Sequence, residues 1–416
     1  MRVRPFRGLR YDPVVAGPHR ETSAPPYDDL DPIRYAGHRT SNPYTVLELL
    51  TGESGGRAGH SGARATLDRW QRTGVLRTDD PPGLYLYEEH EVRDGVPATQ
   101  RGILAAVDLA DVDEGRLLLH EHVDDDRARR RAQRLTEVPL DITPVVAVHL
   151  GGTGAELRPA LDDVSSSPPM VTFTDESAVE HRLWHIADPA AVDRLCAAYD
   201  PVTAVLADGH HRVAAARQVR DTLRAAGHAV GGWGATTAWL VDADDDGPEL
   251  RAVHRLVDAR LPSLADGTPL APGFNAVSWE GSTTDLERYV AASPTLAFGV
   301  VTAGGRWALE ADDPAAVYAA AASTAGPLLA GLDAQVLASL VLPSLGTPAT
   351  HAAPDAGLAA RALHEAADRT LILLRPPTPQ QVLDIALAGE RMPAKTTWYR
   401  PKPRAGLVMR RLDADT

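Results

Sequence analysis

The chain has 416 residues, 44% hydrophobic and 24% charged, with a formal net charge of −14. That length and balance fit two or three domains of an ordinary soluble protein with a sizeable core. The acidic charge excludes a broad nucleic-acid footprint, which needs a basic face, but not a local anion site. The single cysteine, Cys196, excludes an internal disulfide and suits a reducing cytoplasm. It follows Leu195 in a predicted helix and reads as a buried structural thiol.

Met1–Phe6 carries no apolar run of a secretory signal. The longest uncharged stretch, Pro314–Leu332, is broken by Gly326-Pro327 and reads as a helix and a turn, not a membrane span. A cytoplasmic protein without a membrane partner is expected.

Prolines punctuate the first 50 residues, and Ala24-Pro25-Pro26-Tyr27-Asp28 reads as a rigid turn. Gly52–Gly62 is rich in Gly and Ser but lacks the Gly-Lys-Ser/Thr ending of a P-loop, so it reads as a flexible loop. Ala63–Thr73 follows as a short helix with Leu67 and Trp70 on one face. Leu84–Tyr87 and Gly102–Leu109 read as strands of a hairpin around Gly95-Val96-Pro97. Leu117–Leu119 leads into His120-Glu121-His122. Asp124–Arg134 reads as a helix with a solvated, charged face. Pro144–Leu150 is a buried strand, and Gly151–Gly154 turns after it. Val171–Thr174 and Glu180–Ile186 pair around Asp175-Glu176-Ser177, and Pro189–Ala198 is helical.

The densest stretch comes next. Val202–Ala207 is a short apolar run, read as a buried strand, and Asp208-Gly209 breaks it. His210, His211 and Arg212 then open an alanine-rich helix that runs to about Ala226. A strand-to-helix turn favours an anion, above all phosphate, through backbone N–H groups and the helix dipole. Arg212 adds a bidentate grip. Asp208 suits an N-cap, a Mg²⁺ ligand or a group that orients a histidine.

Ala235–Val241 is a further strand. Asp242–Gly247 imitates a calcium loop, but its twelfth position is Val253 where glutamate is needed. From about residue 260 helices dominate: Thr284–Ala292, Pro314–Ser323, Ala334–Leu340, Ala356–Ala367 and Pro379–Gly389, with one strand at Leu371–Leu374. Lys395–Pro403 is basic and aromatic in an acidic chain. His120-Glu121-His122 lacks the helical His-Glu-x-x-His of a zincin; Glu121 suits a general base. No Gly-x-Ser-x-Gly elbow is present.

Asp208-Gly209-His210-His211-Arg212, between an apolar strand and a helix, resembles the signature of the ParB/sulfiredoxin-like superfamily. More closely it resembles the free serine kinases of that group, which transfer phosphate from ADP or ATP to the hydroxyl of L-serine. Their upstream His-Glu pair is similar to His120-Glu121, which implies Glu121 as the base. Over nearly its whole length the chain resembles a widespread prokaryotic family of unknown function. The matching pieces include Arg4–Tyr11, Ala24–Asp28, Asn42-Pro43-Tyr44, Arg182-Leu183-Trp184, His254-Arg255, Gly389–Pro393, Lys395-Thr396-Thr397 and Pro401-Lys402-Pro403. One departure stands beside the motif: Val123-Asp124-Asp125-Asp126 replaces a Gly-Pro-Lys-like segment.

The resemblance implies an α/β (α+β) fold: a ParB/sulfiredoxin-like core over residues 99–260, an N-terminal addition over 1–98 and a mainly helical C-terminal addition over 261–416. It implies a phosphotransferase using ATP or ADP with Mg²⁺. Gly209, His210, His211 and Arg212 hold the phosphates, with Lys395 and Lys402 as further contacts. Asp208 holds the metal or the acceptor's amine, His120 touches the acceptor, and Glu121, Asp208 and His211 form the catalytic set. The partners are a nucleotide and a small hydroxyl-bearing metabolite, with no nucleic acid, in a chain that suits a homodimer. The rivals are a nucleotide-binding switch that takes CTP or ATP without transfer, a nuclease of the same superfamily and a non-catalytic biosynthetic partner.

Overall fold

The computed structural model describes residues 1–26, 30, 32–50, 61–93, 95–150, 154–244, 247–261, 270–363 and 368–413. Tyr27 and Asp28 of the expected turn, residues 52–60 and 151–153 of the two expected loops, Asp245-Asp246, and residues 364–367 of the expected helix Ala356–Ala367 lie outside the described residues. The fold is α+β. The sequence reading divides the chain at 98/99 and 260/261. The chain itself clusters into two units: residues 1–119, 123–248 and 401–416 form one, and residues 120–122 and 249–400 the other.

The first unit is built on a nine-stranded mixed sheet. The hairpin expected around Gly95 is its longest pairing: Leu84–Arg93 runs antiparallel to Val96–Asp108. Gly102 is needed there, because a Cβ would lie 2.2 Å from the Leu240 carbonyl oxygen of the next strand. The order continues from Val96–Asp108 through Ala235–Asp242 and Val145–His149 to Ala204–Asp208 and Leu117–Leu118. On the other side Leu84–Arg93 pairs with Glu180–Ile186, which pairs in turn with Val171–Thr174 around the expected turn at Asp175-Glu176-Ser177. One face buries Leu86, Ile103, Ala105, Ala147, Leu206 and Leu240 against the apolar positions of three helices, Leu157, Leu195 and Val213 among them. A smaller antiparallel sheet brings Leu76–Thr78, Gly8–Tyr11, Met409–Arg411 and Leu140–Asp141 together.

The helix Asp125–Glu137 corrects one expectation. It is charged but not simply a solvated face: Ala128, Ala132, Arg134 and Leu135 are buried. Its N-cap is Asp124, whose side chain accepts from the Arg127 N–H at 2.8 Å. The acidic run that departs from the family pattern therefore starts a helix.

The second unit corrects the expectation of a mainly helical C-terminal region. Expected helices are present as Thr283–Ala292, Pro314–Ala325 and Pro379–Leu387, the expected Ala356–Ala367 is a helix over Ala356–Ala362, and the expected Ala334–Leu340 is a short α-helix, Asp333–Val336, continued by a π-helical turn. They accompany a six-stranded antiparallel sheet in the order Phe274–Ser278, Gly305–Ala311, Ala297–Thr302, Thr370–Leu373, His254–Val257, Thr350–Ala353. Short apolar runs such as Phe298-Gly299-Val300-Val301 are ambiguous between strand and helix by periodicity alone. A two-stranded ribbon joins Glu249–Ala252 to Thr397–Arg400. Among the described residues no helix is long and apolar enough to cross a membrane.

Candidate functional site

The strand Ala204–Asp208 ends in a bulge. Leu206 pairs with Ala147, but Asp208 pairs with Val146, so Ala207 is the extra residue. Bulges of this kind re-aim side chains next to sites. Gly209 then takes φ 105 and serves as N-cap of the helix His210–Ala225. Only glycine suits this corner, because the backbone is left-handed and a Cβ would meet Val145 Cγ1 at 2.6 Å. No side chain caps the helix, so Asp208 is not the N-cap that its type suggests.

Asp208 is instead the counter-charge of two cations. Arg212 Nη2 donates to its Oδ2, and Lys402 Nζ lies 3.5 Å from its Oδ1. Arg212 also donates from Nη1 to the carbonyl oxygens of Thr143 at 3.0 Å and Pro144 at 2.8 Å. The guanidinium is thereby fixed beside the helix N-terminus. Lys402 is fixed by its own segment: Arg404, 2% exposed, donates to Ser23 Oγ at 2.9 Å and Asp175 Oδ2 at 3.0 Å. The adjoining Ala24 and Ala405 form a β-bridge.

These groups line a cavity of about 40 Å³ in the first unit, together with Arg131, Arg134, Asp141 and Thr143. That is room for roughly three ordered waters, on the scale of a phosphate group. Four cations, Arg131, Arg134, Arg212 and Lys402, face two carboxylates there. Asp141 is held by Arg410 and Thr237. Burial, with Arg212 and Arg134 nearby, lowers Arg131 to about 10, while Asp208 works in the opposite direction. Such surroundings favour an anion. Arg131 and Arg134 were missed by sequence reasoning. Their spacing of three on an amphipathic helix was the available signal, obscured by the density of arginine in Arg127–Arg134.

The two histidines diverge, as adjacent residues at a helix start do. His210 is 5% exposed, a buried side chain where a phosphate contact was expected. His211 is half-buried, and its Nε2 accepts the Asp124 N–H at 3.1 Å. That bond needs an unprotonated Nε2 and ties the motif helix to the start of Asp125–Glu137.

Glu121 belongs to the second unit. It pairs in a parallel bridge with Met392, and its Oε1 accepts the Lys395 N–H at 2.9 Å. Lys395 thus meets Glu121 through its backbone, while its side chain is exposed. His120, expected to touch substrate, is 1% exposed, with Nε2 3.0 Å from Thr397 Oγ1. Arg255, matched by sequence but given no role, is buried. Its Nη1 donates to the Val253 carbonyl at 2.7 Å and its Nη2 to the Ala394 carbonyl at 3.2 Å. Burial lowers Arg255, and the Glu121 carboxylate opposes that shift. The structure therefore gathers Asp208, Gly209, Arg212 and Lys402 in one unit, and His120, Glu121 and Lys395 in the other.

The side chains around the motif bear on the expected Mg²⁺. Both oxygens of Asp208 are occupied by cations. Among the described residues no three His, Cys, Asp or Glu side chains gather as a metal site. The residues present do not fit a protein-held Mg²⁺.

The chain belongs to the DUF1015 family of proteins of unknown function, whose model matches residues 3–335. No curated protein matches it by sequence. Among solved structures it is similar to a free serine kinase in complex with AMP, at 13% identity and TM-score 0.34, over 71% of this chain and 86% of that one. It is also similar to a conserved hypothetical protein from Pyrococcus furiosus, at 12% identity and TM-score 0.36, over 75% and 97%. A third is SbnI with a C-terminal truncation from Staphylococcus aureus, at 10% identity and TM-score 0.38, over 75% and 90%.

Proposed function

We propose that this DUF1015 protein is a small-molecule phosphotransferase that binds ATP or ADP by its phosphates at Asp208–Arg212 and passes a phosphoryl group to the hydroxyl of a serine-like metabolite. One observation carries the reading. A glycine-cornered helix N-terminus opens beside a phosphate-sized cavity lined by Arg131, Arg134, Arg212 and Lys402. The resemblance of the Asp208–Arg212 motif to that of the free serine kinases supplies the reaction class.

Arg212 is locked by the Thr143 and Pro144 carbonyls and by Asp208, so its charge is in place before the ligand arrives. Preorganised cations of this kind stabilise charge on the transferring group. The acceptor oxygen forms the new bond to phosphorus, and its proton passes to the Glu121 carboxylate. The bond between phosphorus and the donor's bridging oxygen breaks, and its electron pair leaves with the shortened nucleotide. Asp208 acts here as the anchor of Arg212 and Lys402.

Its commitment to those cations also favours a second reading, in which the protein binds nucleotide and transfers nothing. The product decides. The full chain is incubated with ATP or ADP, MgCl₂ and a panel of hydroxy amino acids, and mass spectrometry is used to look for the added phosphate. A phosphorylated acceptor supports the transferase. An unmodified panel, with nucleotide still protecting the chain from thermal unfolding, removes transfer and leaves binding.

A further inference from the structure

We propose that the second unit carries another ligand site, a cavity for a small molecule with an apolar body and no net charge, whose occupancy is transmitted to Glu121. The cavity holds about 490 Å³, within the range of small-molecule sites and far larger than the phosphate cranny of the first unit.

Its charge fixes the ligand class. Arg375 and Asp333 are its charged lining residues, and they neutralise each other. Arg375 Nε donates to both Asp333 oxygens at 3.2 and 3.0 Å, and Nη2 donates to Oδ1 at 2.6 Å and to the Tyr318 hydroxyl at 2.9 Å. Asp333 is 6% exposed. An ionic ligand would lose its hydration and meet no uncommitted counter-charge. Leu250, Val253, Leu332 and Leu374 offer apolar surface, and Pro376 and Pro377 offer no N–H donors. A phosphate belongs elsewhere; a neutral amphiphile fits.

The link to Glu121 is Thr396, which forms part of the cavity wall. The residue before it gives its N–H to Glu121, and the residue after it places its hydroxyl 3.0 Å from His120. Lys395 has φ 59, a left-handed conformation that a non-glycine residue holds only when its surroundings impose it. Thr396 Oγ1 donating to the Pro393 carbonyl at 2.6 Å, and Arg255 donating to the Ala394 carbonyl, impose it here. Pressure on Thr396 therefore moves the N–H that positions Glu121. This regulatory half rests on Glu121 as the base; the binding half does not.

The test uses three probes with one apolar body: cyclohexanol, cyclohexanecarboxylate and cyclohexylamine. Each is titrated into the ¹⁵N-labelled full chain, and the amide signals are followed. Cyclohexanol is expected to bind saturably at millimolar concentration, shifting the Lys395 amide, with the charged probes at least tenfold weaker. Ala291→Trp, at an exposed rim position, and Ala334→Trp, deeper in the wall, both abolish the response. Absent saturation, equal affinity for the three probes, or unchanged binding in Ala291→Trp overturns the site. Saturation without movement of the Lys395 amide overturns the coupling. None of these readouts needs phosphoryl transfer, so failure of the kinase reading is seen separately.

Discussion

Lys402 Nζ lies 3.5 Å from Asp208 Oδ1, so the last segment of the chain completes the motif at its middle. Asp208 holds two cations in place and is spent in doing so. An incoming phosphate then meets positive groups whose positions are already set. Lys402→Met is expected to weaken ATP and ADP binding about tenfold, about 1.4 kcal/mol, with thermal stability nearly unchanged. Calorimetric titration checks it; wild-type affinity in the variant would remove Lys402 from the site.

Arg131 faces the same cavity from a different helix. Arg131→Met is expected to weaken nucleotide binding about tenfold as well, and to flatten its dependence on salt, because one fewer charge is screened. Titrations at low and high ionic strength measure this. An unchanged salt slope would mean that the ligand does not reach the Asp125–Glu137 helix.

Gly209→Ala puts a Cβ 2.6 Å from Val145 Cγ1 on a left-handed backbone. The expected cost is about 1–3 kcal/mol, read as a lower denaturant midpoint, together with loss of nucleotide binding as the corner shifts. A variant of wild-type stability that still binds would show that the corner does not need glycine.

Acid and base should act on the Arg404 anchor of the Lys402 segment. Burial would raise the Asp175 carboxyl, but hydrogen bonds from His181, Val179 and Ser177 outweigh it and bring it from 3.8 to about 2. Burial would lower His181, yet its bonds to Asp175 and Glu89 raise it above 6.5. Asp175 therefore contributes stability above its ordinary value, lost as pH falls toward 2. His181 contributes below its ordinary value, lost as pH rises through its folded one. The contribution of this pair to thermal stability should be greatest between about pH 4 and 6.5, and Asp175→Asn should remove it and reduce the acid decline. Calorimetric scans across pH check it; an acid decline as steep in Asp175→Asn would place its origin elsewhere.

Much of the first unit was legible because its central strands are short apolar runs, buried along their length, and its turn residues stand where they should. Val171–Thr174 and Glu180–Ile186 pair around the turn expected between them. The Asp208-Gly209 break marks the strand-to-helix corner. The second unit was less legible, because Ala297–Thr302 and Gly305–Ala311 are apolar segments whose strand state is set by pairing with each other. Arg131 was obscured by its arginine-rich neighbours, and the second cation held by Asp208, Lys402, lies far along the chain, where no local pattern could connect the two. His120 and Glu121 were legible by type, but their hold by Thr397 and by the Lys395 N–H is tertiary.

Glu121→Gln keeps the side-chain oxygen that accepts the Lys395 N–H while removing the carboxylate. Transfer is expected to fall at least a hundredfold, with nucleotide affinity unchanged. Near-normal turnover would exclude Glu121 as the base.

The most direct measurement is a crystal structure of the full chain grown with ATP. The account predicts a phosphate group in the cavity at Asp208–Arg212, within hydrogen-bond distance of Arg212 and in ionic contact with Lys402 and Arg131. A nucleotide bound with its phosphates away from these three cations would contradict it.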